Sequence, residues 1–378
     1  MSNFQPPIPT LRKPSRRGNL PLSCAHNSER FRSGVARVER KSLKIALVVA
    51  ALSCAAWGAQ AATAYPSAES SLSAFDTGFG VRNEAAVTQG IDLPRIGSAH
   101  VLTPGESQLR AQLDWSNEYV FQAGGSETYM ADGETQRYVL DLRHGFAGGP
   151  WGGFELGVTV PLVVNNGGVM DGIIHNYHEL FGFPDGGRGS RAHRQVEYRY
   201  TRAGVTGLGM TSSGFNVGDI TLDAGVQAKP GLALRTEVKL PSGTANYLTG
   251  GNWGGALWLD YDPFVDVISR WYGFMSLGGS WNATSDVLPG LQRHAVLLGG
   301  AGLGFHITPA FSLLVQGYAH SPLYKKTAIS ALRKAGLQGT FGGRYAFSRH
   351  LAVEAGFEED LVTNSSPDFG VHLGLVMR

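Results

Sequence analysis

The stretch that comes nearest to a chemical site spans residues 170–191 and reads MDGIIHNYHELFGFPDGGRGSR. Its histidines His175 and His178 stand three positions apart, and Glu179 follows directly. Imidazole and carboxylate groups on one helical turn can bind a metal ion. The zinc-protease motif, however, needs two histidines four positions apart, and that spacing is absent.

The same stretch also fits an amphipathic helix in a loop. Apolar residues recur between positions 173 and 183, and a proline and several glycines then end the pattern. We favour this interpretation and predict no metal and no other cofactor. The polar residues of the stretch are then candidates for a loop that caps a larger structure: Asp171, His175, His178, Glu179, Asp185 and Arg188.

The first 61 residues differ in charge from the rest of the chain. They hold ten of the 32 Lys and Arg but only two of the 30 Asp and Glu, so the remainder is acidic and no nucleic-acid partner is indicated. Three basic residues from Arg40 to Lys44 precede the apolar run IALVVAAL, and Ala59-Gln60-Ala61 gives a small-x-small cleavage pattern. We predict a leader and signal peptide over residues 1–61, cleaved near Ala61. An alternative is that residues 1–34 precede the true start.

The rest of the chain alternates between apolar and polar residues. Residues 108–121 read QLRAQLDWSNEYVF, in which the odd positions are nearly all apolar and the even positions polar. This period of two is typical of a strand with one apolar and one polar face. The pattern recurs to the end of the chain, and it predicts twelve strands between residues 108 and 378, with residues 62–107 before them.

The connections between the predicted strands alternate in length. Short turns such as 148–152 and 348–350 alternate with long polar loops such as 124–134, 242–252 and 322–334. Strands of 9 to 11 residues, with short turns on one rim and long loops on the other, are typical of outer-membrane barrels. A soluble β-sandwich would also alternate, but the signal peptide and the aromatic residues near strand ends favour the barrel.

Four segments also resemble a known family: DGETQRYVLDLRHGF, FELGVTVPLV, MDGIIHNYHELFGFPDGGR and SGFNVGDI. Together they are similar to a Gram-negative outer-membrane family known as a domain of unknown function, DUF3187. The resemblance covers nearly the whole chain after the leader. It implies a location in the outer membrane without an activity. The strand pattern and the long insertion together predict an all-β fold, namely a transmembrane antiparallel β-barrel of about twelve strands with a helix-containing extracellular insertion.

In a barrel whose apolar residues face the lipid at every second position, the charged residues of the strands face the lumen. One interpretation is a set of paired charges that holds a narrow barrel together, and the other is a polar path for a solute. The candidates for such a path are Arg110, Asp114, Glu118, Arg137, Asp141, Arg143, Asp219, Asp223, Arg235, Glu237, Lys239, Arg344 and Glu354.

We expect this chain to be a channel or facilitator for a small solute in the Gram-negative outer membrane, with membrane lipid as its other partner. The alternatives are a closed structural or adhesion barrel whose outer loops contact a partner, and a membrane enzyme. The enzyme is disfavoured because no serine has the G-x-S-x-G context of a nucleophile elbow and no phosphate-binding loop is present. No catalytic residue is therefore predicted.

Residues 62–107 are predicted to lie in the periplasm or to fold into the lumen as a partial plug.

Overall fold

The computed structural model describes residues 75–149, 152–172, 174, 176, 192–264, 270–362 and 365–378, and antiparallel strands make up most of these residues. Within these residues, fifteen strands belong to one sheet. Their bounds are β1 Ser107–Gly124, β2 Glu127–Ala147, β3 Gly153–Asn166, β4 Glu197–Arg202, β5 Val205–Met210, β6 Gly214–Val217, β7 Thr221–Lys229, β8 Leu232–Lys239, β9 Gly254–Tyr261, β10 Trp271–Asn282, β11 Ala295–His306, β12 Phe311–His320, β13 Gly336–Ser348, β14 Leu351–Asp360 and β15 Phe369–Met377.

The sheet closes on itself because β1 pairs with both β2 and β15. Asp114 stands opposite Arg137 on one side and opposite His372 on the other. Among the described residues, twelve strands form the wall, namely β1 to β3 and β7 to β15, each antiparallel to its neighbours. The predicted twelve-stranded antiparallel barrel is confirmed. The observed strand bounds differ from the predicted ones by a few residues.

The distribution of apolar residues is the reverse of that in a soluble domain. Leu277 and Leu297 each expose 70% or more of their surface on the outside of the wall, whereas Asp260 and His372 are fully buried on the inside. Soluble monomers rarely expose a continuous apolar surface of this kind, and charged residues are rarely buried in them. A band of outward apolar residues around a polar interior is the arrangement of a transmembrane barrel. The soluble sandwich is therefore excluded.

Aromatic side chains concentrate at the rim with the short turns. Ring pairs are formed there by Trp271 with Phe305, at 4.7 Å between centroids, and by Tyr345 with Phe347, at 4.9 Å. Phe347 exposes 62% of its surface. Aromatic rings prefer the boundary between lipid tails and water, so this rim lies at one membrane interface.

The opposite rim differs from the prediction. Residues 124–134 were predicted to form a long loop, but β1 and β2 continue as a hairpin as far as Gly124 and Glu127. Beyond the point where β3 ends, β2 pairs with β4, and β4 pairs with β5. The β4–β5 hairpin thus extends the sheet above the wall. The long loop was predicted because residues 124–134 contain glycines and acids that interrupt the alternation of apolar residues.

Helical structure is sparse. Residues 170–172, 174 and 176 of the insertion are helical, and a four-residue helix covers Ser330–Arg333. Two 3-10 turns lie at Ala86–Thr88 and Ala245–Tyr247. Among the described residues, no helix is both long and apolar enough to cross a membrane.

Residues 75–106, which we name the lumen segment, run inside the wall and form no strand. The segment starts near the short-turn rim, where the guanidinium of Arg344 contacts the carbonyl oxygen of Phe75. It turns at Ala86–Thr88 close to the long loops, where Tyr324 donates a hydrogen bond to the carbonyl of Val87 at 2.6 Å. It then returns, and Leu102 contacts Glu155 near the short-turn rim just before β1 begins.

An apolar cluster fills the end of the barrel that carries the long loops. It joins the turn of the lumen segment to the β4–β5 hairpin and to the loops that follow β10 and β12. Its buried members include Ile91, Leu93, Tyr129, Tyr198, Leu248, Leu288, Leu291, Tyr324, Ile329 and Leu332. We name this cluster the apolar cap. Burying these side chains stabilises the long loops over the mouth of the barrel.

Candidate functional site

The candidate solute-path residues face the interior of the barrel. Alternation along each strand sends successive side chains to opposite faces, so a charged residue between two lipid-facing ones points inward. All thirteen are buried or nearly so: Arg110, Asp114, Glu118, Arg137, Asp141, Arg143, Asp219, Asp223, Arg235, Glu237, Lys239, Arg344 and Glu354. Most of these residues also form ion pairs with one another, and these pairs group into three networks.

A network centred on Arg143 occupies the half of the lumen next to the short-turn rim. Its guanidinium lies 3.1 Å from Asp141, 3.1 Å from Glu155 and 3.3 Å from Asp223. Glu155 also pairs with Arg235. Buried charges are tolerated when each is paired and hydrogen-bonded. Every charge of this network has a partner of opposite sign, but Oδ2 of Asp223 is buried without a hydrogen bond from any described residue.

A second network surrounds Glu354 on β14. Its carboxylate accepts hydrogen bonds from Arg344, at 2.7 Å and 2.9 Å, and from Arg110. The Arg344 guanidinium also donates to the carbonyl oxygen of Thr77, at 3.0 Å, in the lumen segment. The wall residue Arg344 therefore holds both a neighbouring strand and the start of the lumen segment.

Wall and lumen segment share a third network nearer the long loops. Glu84 of the segment accepts from Arg82, at 3.2 Å, and from Arg137 of β2, at 3.4 Å. Close to it, Lys239 pairs with Asp219, which lies between β6 and β7 and also accepts from the backbone N–H of Gly243 and Gly251. The sequence predicted Asp219 inside a continuous strand, but the strand is interrupted there, and its carboxylate satisfies backbone donors of a long loop.

Backbone groups of the lumen segment bond to side chains of the wall. Phe79 donates to Gln316 at 2.9 Å, Asp92 to Asn282 at 2.6 Å, and Leu102 to Glu155 at 2.8 Å. Buried peptide groups need partners, and a segment without its own strand pairing must find them on other elements. The inner face of the barrel supplies these acceptors at intervals along the segment.

Arg95 makes the most extensive side-chain contact from the segment to the wall. Its guanidinium pairs with Asp141 and donates to Thr159 at 2.7 Å and to Gln112 at 3.3 Å. These three partners lie on β2, β3 and β1. Since a planar guanidinium offers five donors in a fixed arrangement, one side chain can tie the returning limb to three adjacent strands.

Asp92 is a buried acid of the lumen segment with a perturbed pKa. Burial raises the pKa of this carboxyl, against the opposing effects of a hydrogen bond with Glu237 and the charge of Lys239. One of its oxygens, Oδ2, is buried without a hydrogen bond from any described residue. The segment thus carries an acid whose charged form is costly in its position.

Little space remains between the lumen segment and the wall in two places. A cavity of about 60 Å³ lies among Arg95, Arg110, Asp141, Arg143, Glu155 and Arg235. Another, of about 20 Å³, lies nearer the long loops beside Asp92, Glu237 and Lys239. Ligand pockets usually measure about 300–1,000 Å³. Each of these two cavities holds at most a few water molecules while the segment is in position.

Of the predicted cap residues, Asp171 lies within the described part of the chain. It is buried, and its carboxylate accepts from Asn117 of β1 at 3.1 Å and from the backbone N–H of Arg194 at 2.9 Å. Asp171 therefore fixes the insertion to the wall. His175, His178, Glu179, Asp185 and Arg188 lie outside the described residues, as do the leader and the predicted cleavage site.

Sequence reasoning missed several residues that the fold brings into the lumen. The charged residues of the lumen segment, Arg82, Glu84, Asp92 and Arg95, interrupt a largely apolar stretch, which is a signal for an interior position, but their partners could not be found from spacing. His372 was also missed. It lies between the apolar residues Val371 and Leu373, so the alternation in the sequence indicates that its side chain faces the lumen.

Comparison with known proteins identifies a family. Residues 59–378 match the family model described as "Protein of unknown function (DUF3187)". A comparison with curated proteins finds no match.

Among solved structures, the chain is similar to the COG4313 outer membrane channel from Pseudomonas putida F1, with 16% identity, a TM-score of 0.49, and coverage of 75% of this chain and 98% of that one. It is also similar to the toluene transporter TbuX from Ralstonia pickettii, with 9% identity, a TM-score of 0.36, and coverage of 73% and 90%. The toluene transporter TodX from Pseudomonas putida is similar with 11% identity, a TM-score of 0.35, and coverage of 79% of this chain and 98% of that one. These TM-scores lie below 0.5, so the assignment of the fold rests on the strand pairing of this chain.

Proposed function

This chain belongs to the DUF3187 family, and we propose that it is an outer-membrane channel for a small solute in which the lumen segment acts as a movable plug. The polar lumen would form the route, and displacement of the segment would open it. This proposal gives residues 75–106 the plug role and makes the buried wall charges the lining of the open state.

The observation that carries the proposal is the way in which the lumen segment is held. It forms no strand, and among the described residues its backbone bonds to the backbone of the wall only at Gly105 and Glu106, next to β1. The rest of the segment is attached through side chains, such as Gln316 and Asn282 to its backbone and Arg95 to Asp141. Side-chain hydrogen bonds to a polar wall can be exchanged for hydrogen bonds to water at small net cost, about 0.5–1.5 kcal/mol each. A segment held in this way can move without unfolding the barrel.

The charge distribution of the wall also supports a route for a polar solute. Emptied of the segment, the inner face would present Arg110 and the Arg143 network, which includes Asp141, Glu155 and Arg235. An interior that served only to hold a narrow barrel together could be apolar, since replacing buried ion pairs by packed apolar residues is often neutral or stabilising.

The second candidate is a closed barrel that contacts a partner through its outer loops. The apolar cap favours it, because Tyr129, Tyr198 and Tyr324 are buried at the mouth and hold the long loops together. A stable cap above a filled lumen is what a barrel with no transport role would show. The two candidates differ in whether the lumen segment can leave its position.

Planar-bilayer recordings of the purified protein test the proposal. We expect wild-type protein to open rarely and Arg95→Ala to raise the open probability several-fold, because the substitution removes the contacts to Asp141, Thr159 and Gln112. The matched control is Arg199→Ala, which removes a partly exposed arginine that pairs with Glu197 on the β4–β5 hairpin. Silence of both wild type and a folded Arg95→Ala protein would favour the closed barrel.

A further inference from the structure

Three buried side chains on adjacent strands converge inside the barrel: Asp114 on β1, Glu358 on β14 and His372 on β15. Each offers one nitrogen or oxygen ligand atom, and these atoms all lie within 4.8 Å of one another. All three residues are at least nine-tenths buried. The strand register brings these residues together. Asp114 stands directly opposite His372, and Glu358 stands opposite Gly370, which precedes His372 by two positions, so that Glu358 and His372 lie on the same face of the sheet.

Two atoms of this cluster have no hydrogen-bond partner among the described residues. They are Oε1 of Glu358 and Nε2 of His372, and the latter lies 3.5 Å from Oε1 of Glu354. The other atoms are engaged: His372 Nδ1 lies 2.7 Å from Asp114 Oδ1, and Gln112 donates to Asp114 Oδ2 at 2.6 Å. Buried polar atoms without a partner are uncommon and need an explanation.

Neither of the two carboxylates pairs with a lysine or an arginine among the described residues. Within the described part of the chain, the sole ion-pair partner of Asp114 within 4.0 Å is His372, and Glu358 has none. Glu354, on the same strand as Glu358, is by contrast paired with both Arg110 and Arg344. Two buried carboxylates at short range repel each other unless a cation or a proton is present.

We propose that Asp114, Glu358 and His372 bind a divalent transition-metal cation such as Zn²⁺. An imidazole nitrogen with two carboxylate oxygens is a ligand set of this class, whereas Ca²⁺ and Mg²⁺ prefer oxygen alone. The ion would bind His372 through Nδ1, in place of the proton that this nitrogen shares with Oδ1 of Asp114, while Nε2 lies 3.5 Å from Oε1 of Glu354. Metal-bound histidines commonly bond their second nitrogen to a carboxylate in this way.

Small rotations of the side chains complete the site. Ligand atoms at 2.0–2.2 Å from a tetrahedral ion lie about 3.4 Å apart. Two ligand atoms separated by the largest distance, 4.8 Å, would therefore have to move closer together by about an ångström. The rest of the coordination sphere would be water. The ring of His372 packs 5.5 Å from that of Phe79, so the site lies next to the lumen segment. Binding does not depend on whether the barrel conducts.

Zinc titration of the folded protein in detergent, after removal of metals with a chelator, tests the site. We expect one ion per chain by calorimetry, and a loss of affinity of at least about 100-fold in Glu358→Gln and in His372→Asn, because removing a direct ligand costs more than the 10- to 100-fold lost with an outer-shell partner. Two matched controls should keep the wild-type affinity. Glu237→Gln removes a different buried carboxylate of the lumen, and His350→Asn removes an exposed histidine.

The result that would overturn the proposal is a wild-type protein with no saturable zinc site, or folded Glu358→Gln and His372→Asn proteins that bind as tightly as wild type. Folding is checked by circular dichroism and by heat-dependent migration on gels. If neither variant folds, X-ray absorption of zinc-loaded wild-type protein decides. One imidazole in the coordination shell supports the site, and a shell with none excludes it.

Discussion

Gly90 at the turn of the lumen segment lies against Ser285 in the loop after β10, so closely that a Cβ atom added to Gly90 would be 3.6 Å from the Cβ of Ser285. Disulfides have Cβ–Cβ distances of about 3.5–4.5 Å. The two positions are therefore suited to a cross-link between the segment and the loop after β10. The native cysteines, Cys24 and Cys54, both fall in the predicted leader.

The first prediction uses this pair. Gly90→Cys with Ser285→Cys should form a disulfide under oxidising conditions and should abolish channel openings, because the segment can no longer leave the lumen. Openings should return after reduction with dithiothreitol. The measurement is single-channel recording of the same sample before and after reduction. Each single-cysteine variant is the control, and openings that persist in the fully cross-linked protein would contradict a movable plug.

The second prediction concerns the buried carboxylate of Glu354. Replacing it with alanine leaves Arg110 and Arg344 buried with no carboxylate between them, and breaking such a pair costs about 3–5 kcal/mol. We expect the free energy of unfolding in urea, measured in lipid vesicles, to fall by about this amount. Glu197→Ala removes the partner of the partly exposed Arg199 and should change it by about 1 kcal/mol or less. Equal effects would mean that the lumen is hydrated enough to screen these charges.

The barrel could be predicted from the sequence because its pattern is local. Period-two alternation, such as that around Leu257, Leu259 and Tyr261, sets which face of each strand meets lipid, and strand count and inward parity follow from it. The β4–β5 hairpin also left a local signal, since Tyr198 and Tyr200 alternate with polar residues before a turn at Ala203 and Gly204. It was overlooked inside what was treated as one long loop.

The path of the lumen segment could not be predicted, since no local pattern sets it. Its backbone conformation is determined by partners far along the chain, such as Gln316 for Phe79 and Glu155 for Leu102. The candidate metal site was missed for the same reason. Asp114 and His372 are 258 positions apart in sequence, and closure of the barrel brings them together.

The third prediction follows from the raised pKa of Asp92. Its carboxyl has an ordinary value of 3.8, and burial raises the pKa in the folded protein, so the folded state binds the proton more tightly than the unfolded state. The cost of the charged form is present in full above the raised folded pKa and disappears as the pH falls from there towards 3.8. Asp92→Asn should be more stable than wild type at pH 7.

That advantage should shrink as the pH is lowered from 7 towards 4. The measurement is the difference in free energy of unfolding between wild type and Asp92→Asn across this range, which cancels the titrating groups that do not interact with Asp92. Asp286→Asn, which replaces an exposed carboxylate in the loop after β10, is the control. An advantage of Asp92→Asn that grew on acidification would contradict the raised pKa.

The fourth prediction tests which face of the wall meets lipid. Leu277 lies in the middle of β10 and exposes 72% of its surface on the outside. A charged side chain at the bilayer midplane costs a barrel about 2–4 kcal/mol, so Leu277→Arg should lower the free energy of unfolding in lipid vesicles by that amount. Leu361→Arg is the matched control. It replaces a leucine that is 60% exposed in the loop between β14 and β15, where water solvates the new charge, and it should cost well under 1 kcal/mol. If the two substitutions cost the same, β10 does not cross the membrane at Leu277.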